Sequence, residues 1–272
     1  MFQTHHLTNG LRIIHHPFPS EISYCGIAIN TGSRDEFPDE QGMAHFVEHM
    51  LFKGTEKRQA HHVINRMENV GGELNAYTTK EETFIYATFL SEYFERAVEL
   101  LSDMVFHSTF PEHQIEKERD VILDEMNSYA DSPSELIFDD FENLLFPNHE
   151  IGHYILGTPG SLLTFDKGKV NDFVNRQYFP ANMVLFSFGK TPFPRVVRLT
   201  ERYFGFPDTR YLLSKKRERP LVETAKKCQI KKDTAQTHVI LGTRTFDMFQ
   251  PDRYTLYLLN HIIAGGATNS RL

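Results

Sequence analysis

The sequence contains few cysteines and no tryptophan. Its two cysteines, Cys25 and Cys228, lie far apart, and neither belongs to a C-x-x-C pair. This excludes a disulfide framework and a zinc site closed by four cysteines. We expect both thiols to be reduced, as in a cytoplasmic protein. If the protein binds a metal, histidine and carboxylate side chains are the expected ligands, and the chain has 14 histidines.

Long apolar runs are also missing. No stretch approaches the ~18 residues that a helix needs to span a bilayer. The N-terminus has neither the basic start nor the apolar core of a signal peptide. We therefore predict a cytoplasmic protein with no membrane partner. Basic side chains are fewer than acidic ones, 29 against 36, so the net charge is −7. This balance argues against nucleic acid as a partner.

The length of 272 residues allows one large domain or nearly two. Residues 211–232 carry eight basic and two acidic side chains, which indicates a solvated linker. A basic binding surface is the alternative, although no aromatic residue lies among those charges for base stacking. We therefore predict a domain at 1–210, a linker at 211–232 and the start of a second domain at 233–272. Only a strand at 238–243 and a helix at 252–263 are predicted there, so this second domain is expected to be incomplete.

Alternation and helical periodicity predict an order of elements that mixes strands and helices. Strands are predicted at 11–16, 24–30, 73–78, 83–89 and 183–188, and helices at 42–54, 60–69, 92–106, 111–129, 133–145 and 194–203. This order predicts an α+β fold.

The helix at 42–54 carries the strongest functional signal. His45 and His49 are four residues apart, so their rings lie on one helical face at the spacing for two zinc ligands. Glu48 borders that face and can accept a proton from a zinc-bound water. The apolar residues lie on nearly the opposite side: Met43, Phe46, Val47, Met50 and Leu51. The alternative is a solvent-exposed polar face that contains two histidines and a glutamate by chance.

A second helix, at 111–129, carries two carboxylates within its apolar stripe. Glu118 and Glu125 are seven residues apart, and the stripe consists of Ile115, Val121, Ile122, Met126 and Tyr129. A buried carboxylate without a partner costs several kcal/mol, so a cation is expected beside it, and a metal held by the first helix would supply one. The alternative is a carboxylate pair at the edge of the stripe that faces water or an arginine.

Two neutral imidazoles and one carboxylate form a three-ligand site with an open fourth position. This is the catalytic kind of zinc site, since structural sites have four protein ligands. Zinc lowers the pKa of its bound water to near 7 and polarises a carbonyl group. Glu48 would accept the proton and pass it to the leaving amine.

Three motifs together resemble the inverzincin zinc peptidases of the pitrilysin, insulinase and mitochondrial processing peptidase family. They are the segments starting at His45, Asn75 and Glu118 (HFVEHMLFKGT, NAYT and ERDVILDE). The likeness is greatest to small bacterial processing-peptidase-like members. It implies that Glu125, which lies 76 residues after His49, is the third zinc ligand. It also implies that Glu118 supports the site without binding the metal.

The resemblance has consequences for fold and partners. It implies a two-layer α/β domain with an antiparallel sheet, of the LuxS and processing-peptidase type, followed by a second similar domain. It implies one Zn²⁺ per chain and a homodimer or a heterodimer with a related subunit. It also implies that Asn75, Ala76 and Tyr77 bind an extended peptide at a sheet edge. The alternative for these three is an ordinary edge with Asn75 in a bend.

The leading functional hypothesis is therefore a zinc metalloendopeptidase acting on peptides or unfolded segments. Family members have later domains that contribute to substrate binding, so this chain resembles a truncated form that is expected to be inefficient alone. The second hypothesis is a non-catalytic scaffold or partner subunit of a peptidase assembly. A lyase of the LuxS type would need a cysteine where Glu125 stands, and neither Cys25 nor Cys228 occupies that position.

Overall fold

The computed structural model describes residues 1–208, 210, 217–221, 226–232, 236–266 and 270–271. By its internal contacts the chain forms two compact units, Met1–Lys231 and Lys232–Leu272. The predicted linker lies partly outside the described residues. The boundaries predicted at 210 and 232 remain predictions.

The first unit is built on one six-stranded sheet. The strands are β1 (Gln3–His6), β2 (Arg12–Pro17), β3 (Ile22–Ile29), β4 (Glu73–Thr78), β5 (Thr83–Leu90) and β6 (Met183–Gly189). Their order across the sheet is β1-β2-β6-β3-β5-β4. Every neighbouring pair is antiparallel except β2 and β6, which run parallel. The predicted antiparallel α+β fold is confirmed, whereas β1 was not predicted.

Side-chain alternation divides the sheet into two faces. On β3 the side chains of Cys25, Ile27 and Ile29 are fully buried, and on β5 the same holds for Ile85 and Ala87. These residues form the core with the helices, while the intervening positions form a second face that stays partly exposed. Helices on one face of an antiparallel sheet make a two-layer domain, as predicted.

Nine α-helices are described. They are α1 (Met43–Met50), α2 (Ala60–Glu68), α3 (Phe94–His107), α4 (Glu112–Ala130), α5 (Pro133–Leu145), α6 (Pro159–Leu162), α7 (Lys167–Gln177), α8 (Phe193–Phe204) and α9 (Arg253–Ala264). The six helices predicted in the first unit are present, whereas α6 and α7 were not predicted. Asp166 caps the N-terminus of α7, because its carboxylate accepts a hydrogen bond from the Lys169 N–H at 2.8 Å.

Helix α1 is the element that positions the candidate site. All five apolar residues predicted to share one of its faces are fully buried, and burying each contributes about 1.5–3 kcal/mol. The helix begins after Gly42, whose φ of +92° is left-handed backbone that favours glycine. A Cβ there would lie 2.5 Å from the Leu156 carbonyl oxygen. The apolar face and this close backbone approach together fix which residues of α1 face away from the core.

The second unit contains one regular element among its described residues, helix α9. No residue of α9 is buried. The strand predicted at 238–243 is absent, and this prediction was wrong. Strand formation depends on a hydrogen-bonded partner, and no described residue pairs with this segment.

Candidate metal centre

Helix α1 presents His45 and His49 side by side, because four residues make about one helical turn. Their ring centroids are 4.5 Å apart. Burial, together with the neighbouring His49, lowers the pKa of His45 to about 3. His45 is therefore a neutral imidazole at physiological pH, which is the form that binds metals. Its Nδ1 is buried without a hydrogen-bond partner among the described residues.

The third member of the group comes from helix α4. The Glu125 carboxylate lies 3.9 Å from His45 Nε2 through Oε1, and 3.8 Å from His49 Nε2 through Oε2. One ligand atom from each residue lies within 4.8 Å of the others. Zinc–ligand bonds of about 2.0–2.2 Å in tetrahedral geometry separate ligand atoms by about 3.3–3.6 Å. The donor set and its spacing therefore fit a zinc ion after shifts of a few tenths of an ångström to about 1 Å.

Glu118 takes a different place from Glu125 on the same helix. It is buried, and its Oε1 lies 2.8 Å from His49 Nδ1 while Oε2 lies 2.6 Å from Lys53 Nζ. Burial by itself would raise the pKa of Glu118, but the hydrogen bonds from His49 and Lys53 outweigh it and hold the pKa below its usual value. With the carboxylate ionised, His49 Nδ1 carries the proton and Nε2 keeps its lone pair for a metal.

These contacts correct two expectations about α4. The cation beside Glu118 is Lys53, whereas the sequence suggested that a metal would neutralise both carboxylates. Val121, assigned to the apolar stripe, is 49% exposed. The residues of α4 that are buried are Ile115, Glu118 and Ile122, so the covered face is narrower than predicted.

Glu48, the predicted base, is held by a strand. The Thr78 hydroxyl at the end of β4 donates a hydrogen bond to Glu48 Oε2 at 2.6 Å. Burial raises the pKa of the Glu48 carboxyl, while the Thr78 hydrogen bond and the neighbouring His49 oppose that rise. A carboxyl group whose pKa is raised toward neutrality is suited to exchanging protons.

Strand β4 lies at the edge of the sheet, next to β5. Asn75 and Tyr77 are exposed, and Ala76 lies between them on the opposite face. The Tyr77 ring stacks on Phe84, with centroids 4.8 Å apart. All of Glu73–Thr78 is regular strand, so Asn75 does not occupy a bend. The three residues predicted to bind substrate therefore lie along an unpaired strand edge within the part of the chain described.

Sequence reasoning missed three residues around this group: Glu36, Lys53 and Thr78. Lys53 is four residues after His49, a spacing that places it on the same side of a helix, although α1 itself ends at Met50. Thr78 is two residues after Ala76 in the strand, so alternation places both on the face that meets α1. Glu36 lies in the loop before α1, and nothing in the sequence pattern singled it out.

The sheet with helices on one face and the converging histidines and glutamate indicate the class of metal-dependent hydrolases. Residues 13–159 match the family described as insulinase (peptidase family M16), and residues 164–272 match the peptidase M16 inactive domain. The chain therefore belongs to the M16 (insulinase) peptidase family, as the sequence motifs indicated.

Similar proteins carry names that agree with this family. The uncharacterized zinc protease YmxG of Bacillus subtilis is 34% identical over 273 residues, covering 100% of this chain and 66% of that protein. An uncharacterized zinc protease of Mycobacterium leprae is 35% identical, covering 98% of this chain and 60% of that protein. The chain thus spans less than two thirds of the length of these relatives. Both relatives are named as zinc proteases.

Solved structures share the fold. A putative M16-like peptidase from Alicyclobacillus acidocaldarius superposes with a TM-score of 0.70 at 25% identity, covering 77% of this chain and 51% of that one. An M16 inactive domain from Pseudomonas fluorescens gives 0.83 at 16% identity, covering 100% of this chain and 66% of that one. At this low identity the second likeness shows the fold alone. Among the described residues, no helix is long and apolar enough to cross a membrane.

Proposed function

We propose that the protein is a zinc-dependent endopeptidase that hydrolyses peptides or unfolded segments. His45, His49 and Glu125 would hold one Zn²⁺ per chain, and Glu48 would act as the general base. The observation that carries the proposal is the approach of Glu125, on α4, to the Nε2 atoms of both histidines on α1. The names of the relatives support zinc.

Each residue has a separable task in this proposal. When bound, zinc polarises the carbonyl of the peptide bond and makes water more acidic. Glu48 accepts the proton from water and transfers it to the leaving amine, and its raised pKa suits both steps. Thr78 holds the Glu48 carboxylate in place. Glu118 orients His49 so that Nε2 faces the metal.

The substrate in this proposal is an extended peptide that adds a strand to β4. Backbone groups of an edge strand offer hydrogen bonds to such a peptide, and neighbouring side chains select its residues. The edge passes the site because Thr78, the last residue of β4, contacts Glu48. Asn75, Ala76 and Tyr77 are the residues that we assign to peptide binding.

We also propose the predicted organisation of the whole protein. The zinc-binding catalytic domain would occupy 1–210, followed by a basic linker at 211–232 and the beginning of a second peptidase-like domain at 233–272. The assembly would be a homodimer or a heterodimer with a related subunit, located in the cytoplasm. Sedimentation of the purified chain, alone and mixed with its candidate partner, measures the assembly state.

The experiment that tests the activity compares wild type with Glu48→Gln, both in a full-length version of the protein, in zinc loading and in cleavage of an internally quenched peptide. We expect Glu48→Gln to bind one zinc and to lose cleavage, because the amide cannot accept the proton. Glu116→Gln, on the exposed side of α4, is the matched control and should cleave like wild type. Wild-type rates in Glu48→Gln would refute the mechanism.

The second candidate function is a non-catalytic partner subunit. The match of residues 164–272 to the M16 inactive domain motivates it. A chain that binds zinc, cleaves no peptide alone or with a related subunit, and still assembles with that subunit would favour this second function.

A further inference from the structure

The loop before α1 contains a buried carboxylate that contacts the start of this helix. Glu36 is 6% exposed, and the described residues form no salt bridge with it. Its Oε2 accepts a hydrogen bond from the Gly42 N–H at 2.9 Å, and its Oε1 accepts one from the Ala44 N–H at 2.9 Å. Burial raises the pKa of the Glu36 carboxyl, and the hydrogen bonds from the Ala44 and Gly42 N–H groups oppose that rise only in part.

Helix α1 lacks a cap of its own. Its N-cap residue is Gly42, which has no side chain, and the first turn contains no acidic residue. The first N–H groups of a helix have no acceptor within the helix. Glu36 supplies this acceptor from outside the helix, and its second contact, Ala44, is the residue directly before His45.

The same end of α1 is fixed from a second side. The backbone at Gly42 packs against Gly157, where an added Cβ would lie 2.2 Å from the Gln41 carbonyl oxygen and 2.7 Å from Gly42 Cα. This contact blocks displacement in one direction, while the two hydrogen bonds to Glu36 fix the orientation of the first turn. Glu36 binds the N–H of Ala44, and Ala44 is joined to His45 by one peptide bond, so the position of His45 depends on Glu36.

We propose that Glu36 is a positioning residue of the metal centre. It holds the first turn of α1 so that His45 Nε2 stays within reach of His49 and Glu125, and it acts through the backbone without touching the metal. This inference rests on the zinc site proposed above. Partners that orient metal ligands from outside typically change metal affinity by about 10–100-fold when removed, so we expect a loss in that range.

The same loop provides a matched control. Glu40 is also 6% exposed, and its Oε2 accepts hydrogen bonds from the Phe37 N–H at 3.0 Å and from Arg176 at 2.5 Å. Its carboxylate contacts no N–H of α1 among the described hydrogen bonds. Removing either side chain leaves buried donors without an acceptor. Glu40 contacts α1 only through its backbone carbonyl, which accepts a hydrogen bond from the Met43 N–H at 2.8 Å and is kept in Glu40→Ala, whereas Glu36 contacts α1 through its side chain. If Glu36 contributed only to the stability of the fold, Glu36→Ala and Glu40→Ala would therefore have the same zinc affinity.

The experiment measures zinc affinity of the 272-residue chain by competition with a chromophoric chelator. We expect Glu36→Ala to lose about 10–100-fold in affinity and Glu36→Gln to lose less, since an amide keeps one acceptor oxygen. Glu40→Ala should stay within about twofold of wild type, although both alanine variants melt at lower temperature. The visible spectrum of bound Co²⁺ should change in Glu36→Ala and not in Glu40→Ala.

Two results would overturn the inference. One is a folded Glu36→Ala that binds zinc as tightly as wild type, and the other is an equal loss in Glu40→Ala. If Glu36→Ala does not fold, Glu36→Gln against Glu40→Gln makes the same comparison. If the wild-type chain binds no zinc, the proposed metal centre is wrong and this inference fails with it. That outcome differs from failure of the Glu36 inference alone, in which wild type does bind zinc.

Discussion

The two glutamates of α4 should differ in how much zinc binding depends on them. Glu125 approaches the Nε2 atoms of both histidines, whereas Glu118 accepts a hydrogen bond from His49 Nδ1. Replacing Glu125 by glutamine removes the charge of the residue that we propose as the third ligand. Replacing Glu118 by alanine removes only the acceptor that orients one imidazole. We therefore expect both changes to weaken zinc binding, and the change at Glu125 to weaken it more.

The contacts of Glu118 set the size of the loss in zinc affinity that we expect for Glu118→Ala. The His49–Glu118 hydrogen bond of 2.8 Å involves an ionised acceptor, and such bonds contribute about 1.5–3 kcal/mol. If most of this orients Nε2 for the metal, zinc affinity falls by about 10–100-fold, since tenfold corresponds to about 1.4 kcal/mol. The change also leaves Lys53 without its buried partner, so the zinc-free chain should unfold at lower denaturant concentration.

The assay is equilibrium competition for zinc against a chelator of known affinity, with folding checked by circular dichroism. Glu116→Gln, exposed on the same helix, should bind zinc as tightly as wild type. Unchanged affinity in a folded Glu118→Ala would refute the orienting role. A greater loss for Glu118→Ala than for Glu125→Gln would mean that the two carboxylates have been assigned in the wrong order.

Two further predictions concern the stability of the fold. His45 should by itself lower the stability of the zinc-free chain by up to about 1.4 kcal/mol per pH unit below pH 6.5, because its folded pKa is lowered to about 3 and the unfolded chain binds the proton first. Urea unfolding at pH 7, 6 and 5 measures this, and a slope equally steep in His45→Gln would contradict it. Arg217→Ala should lower the melting temperature because Arg217 pairs with the buried Asp35 through two hydrogen bonds, of 3.1 and 2.8 Å. The exposed Lys227→Ala should leave it unchanged, and equal melting of the two variants would refute this.

The parts of the structure that depend on local periodicity could be predicted from the sequence. The apolar face of α1 and the alternation of β3, β5 and β6 each repeat within one element, so the pattern shows which side is buried. Strand β1 could not be found in this way. Its residues, Gln3–His6, are polar and mostly exposed, because an edge strand needs no apolar face.

Contacts between distant segments were not available from periodicity. The parallel pairing of β2 with β6 joins residues about 170 positions apart, and no local pattern records it. The contact from Thr78 to Glu48 likewise depends on how β4 packs against α1. The composition of the linker was also insufficient to predict its contacts. Its basic residues predicted a solvated segment, whereas the Arg217 guanidinium pairs with Asp35. Composition describes the average of a segment and not the contacts of one side chain.

Charge compensation offers an argument for Glu125 that does not depend on family resemblance. Of the three carboxylates at the site, Glu118 has Lys53 and His49 as donors, and Glu48 has the Thr78 hydroxyl. Among the described contacts, Glu125 has only the two Nε2 atoms, at 3.8 and 3.9 Å, beyond hydrogen-bond distance. His45 is neutral through burial and cannot balance the charge. Helical periodicity could not choose between the two glutamates of α4. The distribution of donors favours Glu125, whose side chain is 36% exposed and has no closer donor among the described contacts, as the ligand that we propose.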